Sequence, residues 1–391
     1  MKELKVGVVG LGNMGSAHAK CIFDEKINGM QLSAVCDIDK ETVSHYSQIF
    51  SGVKTYYDYR DMIENAGLDA VIVATPHYSH TVIARFAFEN RLNVLVEKPA
   101  GVMASEVKKM NLAAINSGKV FSVMFNQRTD FLFNNLRKIV KNGELGDIKR
   151  VTYNITNWYR TEEYYKSGGW RATWDGEGGG VLVNQAPHNL DILQWIFGQP
   201  RKIFAVLNNG KYHDIEVEDD ATVLMQYENG TEAVFITSTG ETPGTNRLEV
   251  SGSRGKAVLE NGLLKLWQSV VDERTFCKNA LSNSAHIEYR YSETRSVENP
   301  NAHRKILQNF ADSILLGTPL ISNGSEALNE VMIANAAYLS AWTGKWIDLK
   351  NIDFEEYDNR LLELRKNSQT RKKEKTAFNN PSYKDRWQVR W

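Results

Sequence analysis

The stretch Val6-Gly7-Val8-Val9-Gly10-Leu11-Gly12-Asn13-Met14-Gly15-Ser16-Ala17-His18-Ala19-Lys20 places a glycine-rich turn between a short apolar run and a helix-like segment. In such a strand–turn–helix unit, Gly10 permits a tight turn, Gly12 lets a pyrophosphate approach the backbone and Gly15 allows close helix–strand packing. The N-terminus of the helix offers unpaired N–H groups to phosphates. The stretch predicts a dinucleotide-binding fold. The predicted cofactor contacts here are Gly10, Gly12, Asn13, Met14 and Gly15.

A carboxylate follows at the end of the next apolar run. Asp37 lies at the distance from the glycine turn where a carboxylate meets the ribose hydroxyls of adenosine. Its neighbours Ile38 and Asp39 supply no arginine. Because a carboxylate repels a 2′-phosphate, Asp37 favours NAD over NADP as the cofactor. Asp39 is better placed than Asp37 to cap the following helix.

The first 125 or so residues alternate Val/Leu/Ile-rich runs with helix-like segments that follow Asp39 and Asp58. Near-continuous apolar runs are typical of parallel strands that are buried on both faces. The alternation therefore predicts an α/β fold, with an N-terminal Rossmann domain built on a doubly wound parallel sheet. The predicted strands are 4–9, 32–36, 70–74, 93–96 and 120–125.

After Asn126 the pattern changes to alternating apolar and polar residues. This alternation predicts a C-terminal α/β domain with an open, mostly antiparallel sheet, and Asn229-Gly230 predicts a hairpin turn within it. We expect the two late helices to cover this sheet or to dock on the first domain. The predicted strands are 148–157, 221–227, 232–238, 247–251 and 263–267, and the predicted helices are 130–141, 303–315 and 326–342.

Length and patterning divide the 391 residues into three parts. We expect an NAD-binding domain over 1–126, a substrate-binding and oligomerisation domain over 127–349 and a polar extension over 350–391. A charge run at 371–375 predicts a solvated tail. Trp387 and Trp391 are large aromatics, and we expect them to dock on the body or on a neighbouring subunit.

Composition excludes several classes of partner. The 47 Lys and Arg residues balance the 47 Asp and Glu residues, so neither nucleic acid nor an anionic membrane is expected. Cys21, Cys36 and Cys277 lack the spacing of metal ligands, so we expect no metal site and no disulfide framework. The chain has neither a signal-like segment nor an apolar run long enough to span a bilayer, and we expect a cytoplasmic protein.

Two later motifs carry the predicted chemistry. Glu97-Lys98-Pro99 ends the fourth of the listed runs, and Gly178-Gly179-Gly180 precedes Asn184-Gln185-Ala186-Pro187-His188. The four-residue spacing of Asn184 and His188 predicts that they lie one helical turn apart on one face. Together with the dinucleotide motif, they point to hydride transfer to or from a polyol or sugar.

With these motifs the chain resembles the Gfo/Idh/MocA oxidoreductases, a family that includes glucose–fructose oxidoreductase and inositol dehydrogenase. The resemblance reaches to about residue 349 and also rests on Thr75-Pro76 and on the segment Ser340 to Lys345. It implies that Lys98 hydrogen-bonds the reacting oxygen and that His188 takes the hydroxyl proton. A histidine titrates near neutral pH and a lysine stabilises an alkoxide, which agrees with these roles. We also expect a homo-oligomer.

Further cofactor contacts are expected from loops at the carboxyl ends of the parallel strands, where ligands bind in such sheets. His77 and His80 are predicted to serve as loop or cap residues rather than as catalysts. The predicted additional cofactor contacts are Thr75, Pro76, His80, Glu97, Lys98 and Gln127.

Asn184 departs from the family pattern, in which many members carry aspartate four residues before the histidine. An amide can orient an imidazole, but it cannot stabilise an imidazolium by charge. The histidine is then less basic, or the proton passes elsewhere and Lys98 carries more of the acid–base work. Asp191, about one turn after His188, is a candidate compensating carboxylate, with capping or packing as the alternative.

The segment 157–175 is dense in aromatic residues and arginines. Aromatic faces stack on sugar rings, and charged groups bind hydroxyls or an acid group. The alternative is an aromatic cluster in the core. The predicted substrate contacts are Tyr159, Arg160, Trp170, Arg171, Trp174, Asn184 and His188.

These features predict an NAD-dependent sugar or polyol dehydrogenase. The segment that ends at His188 also resembles the branch that acts on glycosides, including C-glycoside breakdown in gut bacteria, with C3 as the candidate carbon. One alternative is a redox-neutral NAD-dependent glycosidase that oxidises C3 transiently and eliminates the aglycone. Another is a non-catalytic NAD sensor, which would bind NAD equally well after Lys98→Ala and His188→Ala.

Overall fold

A computed structural model describes residues 3–297 and 301–368. Its first half is a six-stranded parallel sheet in the order β3-β2-β1-β4-β5-β6, with helices between successive strands. The strands are β1 (Leu4–Val9), β2 (Met30–Cys36), β3 (Lys54–Tyr56), β4 (Ala70–Val73), β5 (Asn93–Val96) and β6 (Phe121–Val123). The helices are α1 (Asn13–Phe23), α2 (Lys40–Ile49), α3 (Tyr59–Asn65), α4 (His77–Glu89) and α5 (Ala104–Ser117).

The predicted doubly wound parallel sheet is confirmed. Its central strands β1, β4 and β5 are almost fully buried, as their continuous apolar runs require. The side chains of Asp39 and Asp58 cap α2 and α3, which are the helix starts that the sequence predicts. The sequence prediction missed β3, because this three-residue edge strand is largely exposed and carries no apolar run.

The second half is a nine-stranded sheet in the order β14-β13-β12-β11-β7-β10-β9-β8-β15. The expected mostly antiparallel pairing is confirmed, and β7 and β10 form its parallel pair. The predicted hairpin joins β9 to β10, with Gly230 at φ +85°. The strands are β7 (Ile148–Ile155), β8 (Lys202–Asn209), β9 (Glu218–Gln226), β10 (Glu232–Ser238), β11 (Asn246–Gly252), β12 (Gly255–Glu260), β13 (Leu263–Ser269), β14 (Tyr289–Arg295) and β15 (Ile347–Asp348).

Helices cover one face of the second sheet and also return to the first. Side chains of α9 and α12 share a core with the second sheet, whereas those of α11 pack into the core beneath β1 and β2. Of the two late helices, α12 therefore covers the second sheet and α11 docks on the first domain, so each of the two expected arrangements is found once. The helices are α6 (Phe131–Lys141), α7 (Glu162–Lys166), α8 (Val181–Asn184), α9 (Pro187–Phe197), α10 (Glu273–Asn279), α11 (Ala302–Leu316), α12 (Ala327–Thr343) and α13 (Phe354–Lys366).

The region expected to be a polar extension begins with a packed helix. In α13, Tyr357 and Leu361 are fully buried, and Tyr357 stacks on Trp342 with 5.5 Å between ring centroids. Most residues of α13 are charged or polar, and its few apolar residues give too weak a pattern to predict that the helix packs on the core. Trp387, Trp391 and the charge run 371–375 lie outside the described residues. The division of the chain into 1–126, 127–349 and 350–391 stays a prediction.

None of the helices in the described part of the chain is long and apolar enough to cross a membrane.

Candidate active site

The glycine turn leaves room for a phosphate group. Gly10 has φ +88°, and a Cβ there would lie 2.6 Å from the carbonyl oxygen of Ala74. A Cβ at Gly15 would lie 1.8 Å from the carbonyl oxygen of Gly10, so both positions require glycine. A Cβ at Gly12 meets nothing within 4 Å. Open space therefore lies above Gly12, where α1 begins with Asn13 and Met14.

The carboxylate of Asp37 lies beside this turn. Its Oδ2 accepts a hydrogen bond of 2.7 Å from the backbone N–H of Leu11, and its Oδ1 accepts one of 2.9 Å from Asp39. Each carboxylate oxygen has further lone pairs, which can accept hydrogen bonds from ribose hydroxyls. The backbone contacts hold Asp37 in the position that the sequence predicts for it.

Polar atoms without partners lie on the other predicted cofactor residues. Thr75 Oγ1 and Gln127 Oε1 are buried and have no hydrogen-bond partner within the described ranges. Since buried polar atoms are normally paired, these two atoms indicate a ligand. Pro76 directly precedes α4, at the same edge of the sheet. These residues fit the dinucleotide that the glycine turn predicts.

His80, a predicted cofactor contact, has both ring nitrogens beside backbone carbonyl groups. Its Nδ1 lies 2.8 Å from the carbonyl oxygen of Pro99 and its Nε2 lies 2.7 Å from that of Thr75. Both ring nitrogens are therefore engaged with backbone, and the ring is buried. His80 joins two loops that line the site, and its contact with the cofactor stays a prediction.

Both carboxylate oxygens of Glu97 also have partners within the protein. Its Oε1 lies 2.7 Å from Nε2 of the buried His18, and its Oε2 accepts a hydrogen bond of 3.1 Å from the backbone N–H of Lys98. Burial alone would raise the pKa of this carboxyl, but the contact with His18 prevails and lowers it to about 2. Glu97 thus fixes the loop that presents Lys98 instead of offering a free carboxylate.

Lys98 extends from this loop to the second half of the chain. Its Nζ donates a hydrogen bond of 2.8 Å to the carbonyl oxygen of Asn184. Burial lowers the pKa of Lys98, and Arg171 lowers it further, while Glu97 and Glu177 oppose the shift. An ammonium group has three donors, so two remain for a substrate oxygen.

Asn184 and His188 lie on two consecutive short helices, not on the single helix that their spacing predicts. The helix α8 ends at Asn184, and α9 begins at Pro187. Proline is favoured at the first position of a helix because it has no N–H to leave unpaired there, which explains the break. The turn still keeps both residues at the site.

His188 is the second candidate catalytic residue. Burial lowers its pKa well below the ordinary value, and the charge of Lys98 lowers it further. Its Nδ1 is buried and has no partner among the described residues. A neutral imidazole with an unpaired nitrogen can accept a proton from a substrate hydroxyl.

The carboxylate beside Asn184 is Glu177, not Asp191. Asn184 Nδ2 donates to Glu177 Oε1 in the buried interior, and burial raises the pKa of Glu177. Asp191 instead forms a two-pronged ion pair with the buried guanidinium of Arg128, at 2.7 and 2.8 Å. The suggestion that Asp191 compensates for Asn184 is therefore wrong, because Arg128 occupies both of its oxygens.

Tyr164 belongs to the site, although it is absent from the predicted substrate contacts. Its hydroxyl oxygen faces three N–H donors: Arg171 at 2.9 Å, Gln185 at 3.1 Å and Asn184 at 3.4 Å. The sequence signalled only a segment dense in aromatics. Glu177 was missed as well, and its position directly before Gly178 was the available signal.

The predicted aromatic contacts separate into three environments. Trp170 packs edge-on against His77 at 5.3 Å and is partly exposed at the site. Trp174 is 4% exposed, and its indole N–H donates to the carbonyl of Glu216, so it belongs to the core. Tyr159 is 48% exposed. Trp174, which is one of the predicted substrate contacts, therefore packs in the core instead, as the alternative of an aromatic core cluster predicts.

A Rossmann sheet with a glycine turn that fits a dinucleotide, joined to a lysine and a neutral histidine, defines an NAD-dependent oxidoreductase. Residues 4–125 match the oxidoreductase family with an NAD-binding Rossmann fold, and residues 133–258 match the Gfo/Idh/MocA C-terminal domain. The chain belongs to the Gfo/Idh/MocA family, and NAD is its cofactor.

Named relatives share sequence with this chain, and a solved structure shares its fold. The chain is 26% identical over 359 residues to a myo-inositol 2-dehydrogenase of Thermotoga maritima, covering 89% of this chain and 99% of the relative. It is 26% identical to a mouse trans-1,2-dihydrobenzene-1,2-diol dehydrogenase, covering 68% and 75%. The fold resembles that of the WlbA dehydrogenase of Bordetella pertussis, solved with NADH and UDP-GlcNAcA, with a TM-score of 0.75, 24% identity and coverage of 90% and 100%.

Proposed function

We propose that this protein oxidises a ring hydroxyl of a sugar, polyol or glycoside, with NAD as the hydride acceptor. The observation that carries the proposal is the convergence of Lys98 and a neutral His188 on one site, through the hydrogen bond of Lys98 to Asn184. The names of two relatives, an inositol dehydrogenase and a dihydrodiol dehydrogenase, support a substrate that carries hydroxyl groups on a ring.

Each residue then has a distinct task. His188 accepts the hydroxyl proton, because its imidazole is neutral and one nitrogen lacks a partner. The two remaining N–H donors of Lys98 hold the substrate oxygen and stabilise the negative charge that develops on it. Asn184 positions Lys98 through its backbone carbonyl and links it to the carboxylate of Glu177 through its side chain.

The cofactor residues form the opposite wall of the proposed site. Gly10, Gly12 and Gly15 shape the space for the pyrophosphate at the start of α1. Asp37 binds the adenosine ribose, and its charge favours NAD over NADP. Thr75 and Gln127 offer their unpaired buried oxygens to the cofactor.

The oxidised carbon is proposed to be C3 of a glycoside ring, and one experiment separates this from the redox-neutral alternative. Purified enzyme is incubated with NAD and a panel of free sugars, inositols and aryl glycosides. Absorbance at 340 nm reports NADH, and mass spectrometry with NMR identifies the product. A dehydrogenase yields NADH with a 3-keto product, whereas a glycosidase releases aglycone without net NADH.

A homo-oligomer is proposed to form through the open face of the second sheet. The strand register places Phe204, Leu224 and Val234 in one row across β8, β9 and β10. Val206 is 52% exposed and Trp346, which contacts Phe204, is 44% exposed. Such an apolar sheet face suits a second copy of the chain. Light scattering of Leu224→Asp against wild type tests whether this face joins the subunits.

The proposed compartment is the cytoplasm. Cys36 and Cys277 are free thiols, and Cys277 is exposed, which suits a reducing environment.

A further inference from the structure

The guanidinium of Arg160 forms no ion pair with a carboxylate in the described part of the chain. Its Nε is buried and makes no hydrogen bond there. Its guanidinium carbon instead lies 4.4 Å from the ring centroid of Tyr164 and 5.5 Å from that of Trp158. Stacking on aromatic rings leaves the edge of the guanidinium available for an anion.

A second arginine, Arg171, contacts the ring of the same tyrosine, Tyr164. The guanidinium carbon of Arg171 is 4.8 Å from the Tyr164 ring centroid, and Arg171 Nη1 donates to the Tyr164 hydroxyl at 2.9 Å. Arg171 Nη1 lies 4.0 Å from Glu177 Oε1, so its charge is partly balanced. Arg160 and Arg171 thus contact one ring, and among the described residues Arg171, but not Arg160, lies within 4.0 Å of a carboxylate oxygen.

These arginines belong to the substrate side of the site. The Tyr164 hydroxyl is 3.4 Å from Asn184 Nδ2, and the carbonyl of Asn184 binds Lys98 Nζ at 2.8 Å. Both arginines are close enough to Lys98 for their charges to lower its pKa. Lys98, Arg160 and Arg171 therefore share one region with the carboxylates of Glu97 and Glu177, so three cationic groups face two carboxylates.

We propose that the substrate is an acidic sugar, and that Arg160, with Arg171 beside it, binds its carboxylate. This inference rests on the proposed dehydrogenase function and names the substrate class. A guanidinium matches a carboxylate by a two-pronged hydrogen bond, and an anion here would offset the excess of positive charge.

A carboxylate fits this charge better than a phosphate does. Glu177 balances Arg171 in part, which leaves the guanidinium of Arg160 as the charge without a partner. A carboxylate brings one negative charge, whereas a phosphate monoester carries about 1.5 to 2 at neutral pH. A sugar acid such as a hexuronate therefore matches the site, and a hexose phosphate serves as the contrasting anion.

The test compares matched sugars on wild-type enzyme with NAD. Glucose, glucuronate and glucose 6-phosphate, and galactose with galacturonate, are assayed for kcat/KM by NADH formation. We expect each uronate to exceed its neutral hexose by about tenfold or more, the equivalent of about 1.4 kcal/mol. Arg160→Gln should remove this preference chiefly through KM. Arg160→Lys keeps the charge but loses the planar fork, and should retain part of it.

Lys166→Gln is the matched control, because it removes one positive charge from the exposed end of α7 and should leave the preference unchanged. Calorimetric titration of glucuronate into the NADH complex measures binding without turnover, and thermal melts verify that each variant is folded. Equal kcat/KM for uronates and hexoses would overturn the inference and leave the dehydrogenase intact. A preference for the phosphate would overturn the carboxylate assignment. Glucuronate binding that depends on Arg160, without NADH formation from any sugar, would support the acid site and contradict the dehydrogenase.

Discussion

At residue 184 an amide stands where many family members carry aspartate, and the negative charge lies one contact away on Glu177. Glu177 and Asn184 together keep one carboxylate near Lys98. This carboxylate lies in the loop before α8 and not on the helix at residue 184. Glu177 is buried and bonded to the backbone N–H of Ala172, so its position is fixed. We propose that Glu177 and Asn184 together perform the task that aspartate has in many members of the family.

Exchanging the two groups tests this assignment. Glu177→Gln should lower kcat for NADH formation by about tenfold or more, because the charge beside Lys98 is lost. Asn184→Asp alone should destabilise the protein, because it places a second carboxylate against Glu177. The double variant restores one amide and one carboxylate, and its kcat should exceed that of Glu177→Gln. A double variant no better than Glu177→Gln would contradict the shared role.

The pH dependence of the reaction tests the state of His188. Burial and Lys98 hold its pKa well below the ordinary 6.5, so the imidazole stays neutral as the pH falls to that value. The acidic limb of kcat/KM should therefore lie below pH 6.5. A steady-state profile from about pH 5 to about pH 9 measures it. An acidic limb above 6.5 that disappears in His188→Gln would contradict a neutral histidine.

At the scale of the element, the sequence predicts motifs better than it predicts contacts between them. It identified β1, β5 and the caps of α2 and α3, because apolar runs and capping aspartates are local signals. It placed Lys98 and His188 together through the family resemblance. It missed Glu177 and Tyr164, whose contacts depend on how the loop before α8 folds back.

A buried ion pair joins the turn after β6 to α9. Arg128 and Asp191 have side chains that are each 1% exposed, and Glu326 also contacts Arg128. Asp191→Asn should lower the free energy of unfolding by about 3 to 5 kcal/mol, because the buried guanidinium of Arg128 loses its buried carboxylate and keeps only the partly exposed Glu326. Arg128→Met combined with Asp191→Leu should cost less than either single change. Urea unfolding of wild type, Arg128→Met, Asp191→Leu and the double variant measures this, and additive losses would argue against the pairing.

The start of α8 depends on a second buried carboxyl. Glu218 accepts hydrogen bonds from the backbone N–H groups of Gly180 and Leu182, each at 2.9 Å, and from the Tyr338 hydroxyl. Burial raises its pKa from 4.5 to about 7. The folded protein thus binds this proton more tightly than the unfolded chain does. The stability advantage is present below pH 4.5 and is lost as the pH rises through about 7.

Glu218→Gln removes this titration. The difference in unfolding free energy between wild type and Glu218→Gln should therefore fall as the pH rises from about 4.5 to about 7, by about 3 kcal/mol at most. Urea unfolding at several pH values across this range measures the difference. A difference that stays constant would show that Glu218 keeps one protonation state.

At the scale of the molecule, the chain crosses between its two sheets more than once. Ile306, Leu307 and Phe310 of α11 lie in the core beneath β1 and β2, although this helix follows the whole second sheet in the sequence. Periodicity predicted the helix, but it could not decide which sheet the helix covers, because both sheets offer apolar faces. The packing of α13 against Trp342 was beyond prediction for the same reason.

Truncating a side chain of α11 should weaken the NAD-binding half. Phe310 is fully buried, and Phe310→Ala should cost about 3 to 5 kcal/mol through lost burial and a residual cavity. Leu316→Ala is the control, because Leu316 is 72% exposed at the end of the same helix and should shift stability by less than about 0.5 kcal/mol. Urea unfolding gives both values. Equal effects of the two changes would show that α11 does not pack on the first sheet.

We propose that NAD oxidises a sugar hydroxyl by accepting a hydride, while Lys98 holds the hydroxyl oxygen and His188 accepts its proton. The most direct measurement is anaerobic incubation of enzyme, NAD and the sugar panel, with NADH read at 340 nm and products weighed by mass spectrometry. Wild type should form NADH and a product lighter by two hydrogens. His188→Gln should form it about a hundredfold or more slowly, with the affinity for NAD unchanged. Undiminished NADH formation by His188→Gln, or aglycone release without net NADH, would contradict the account.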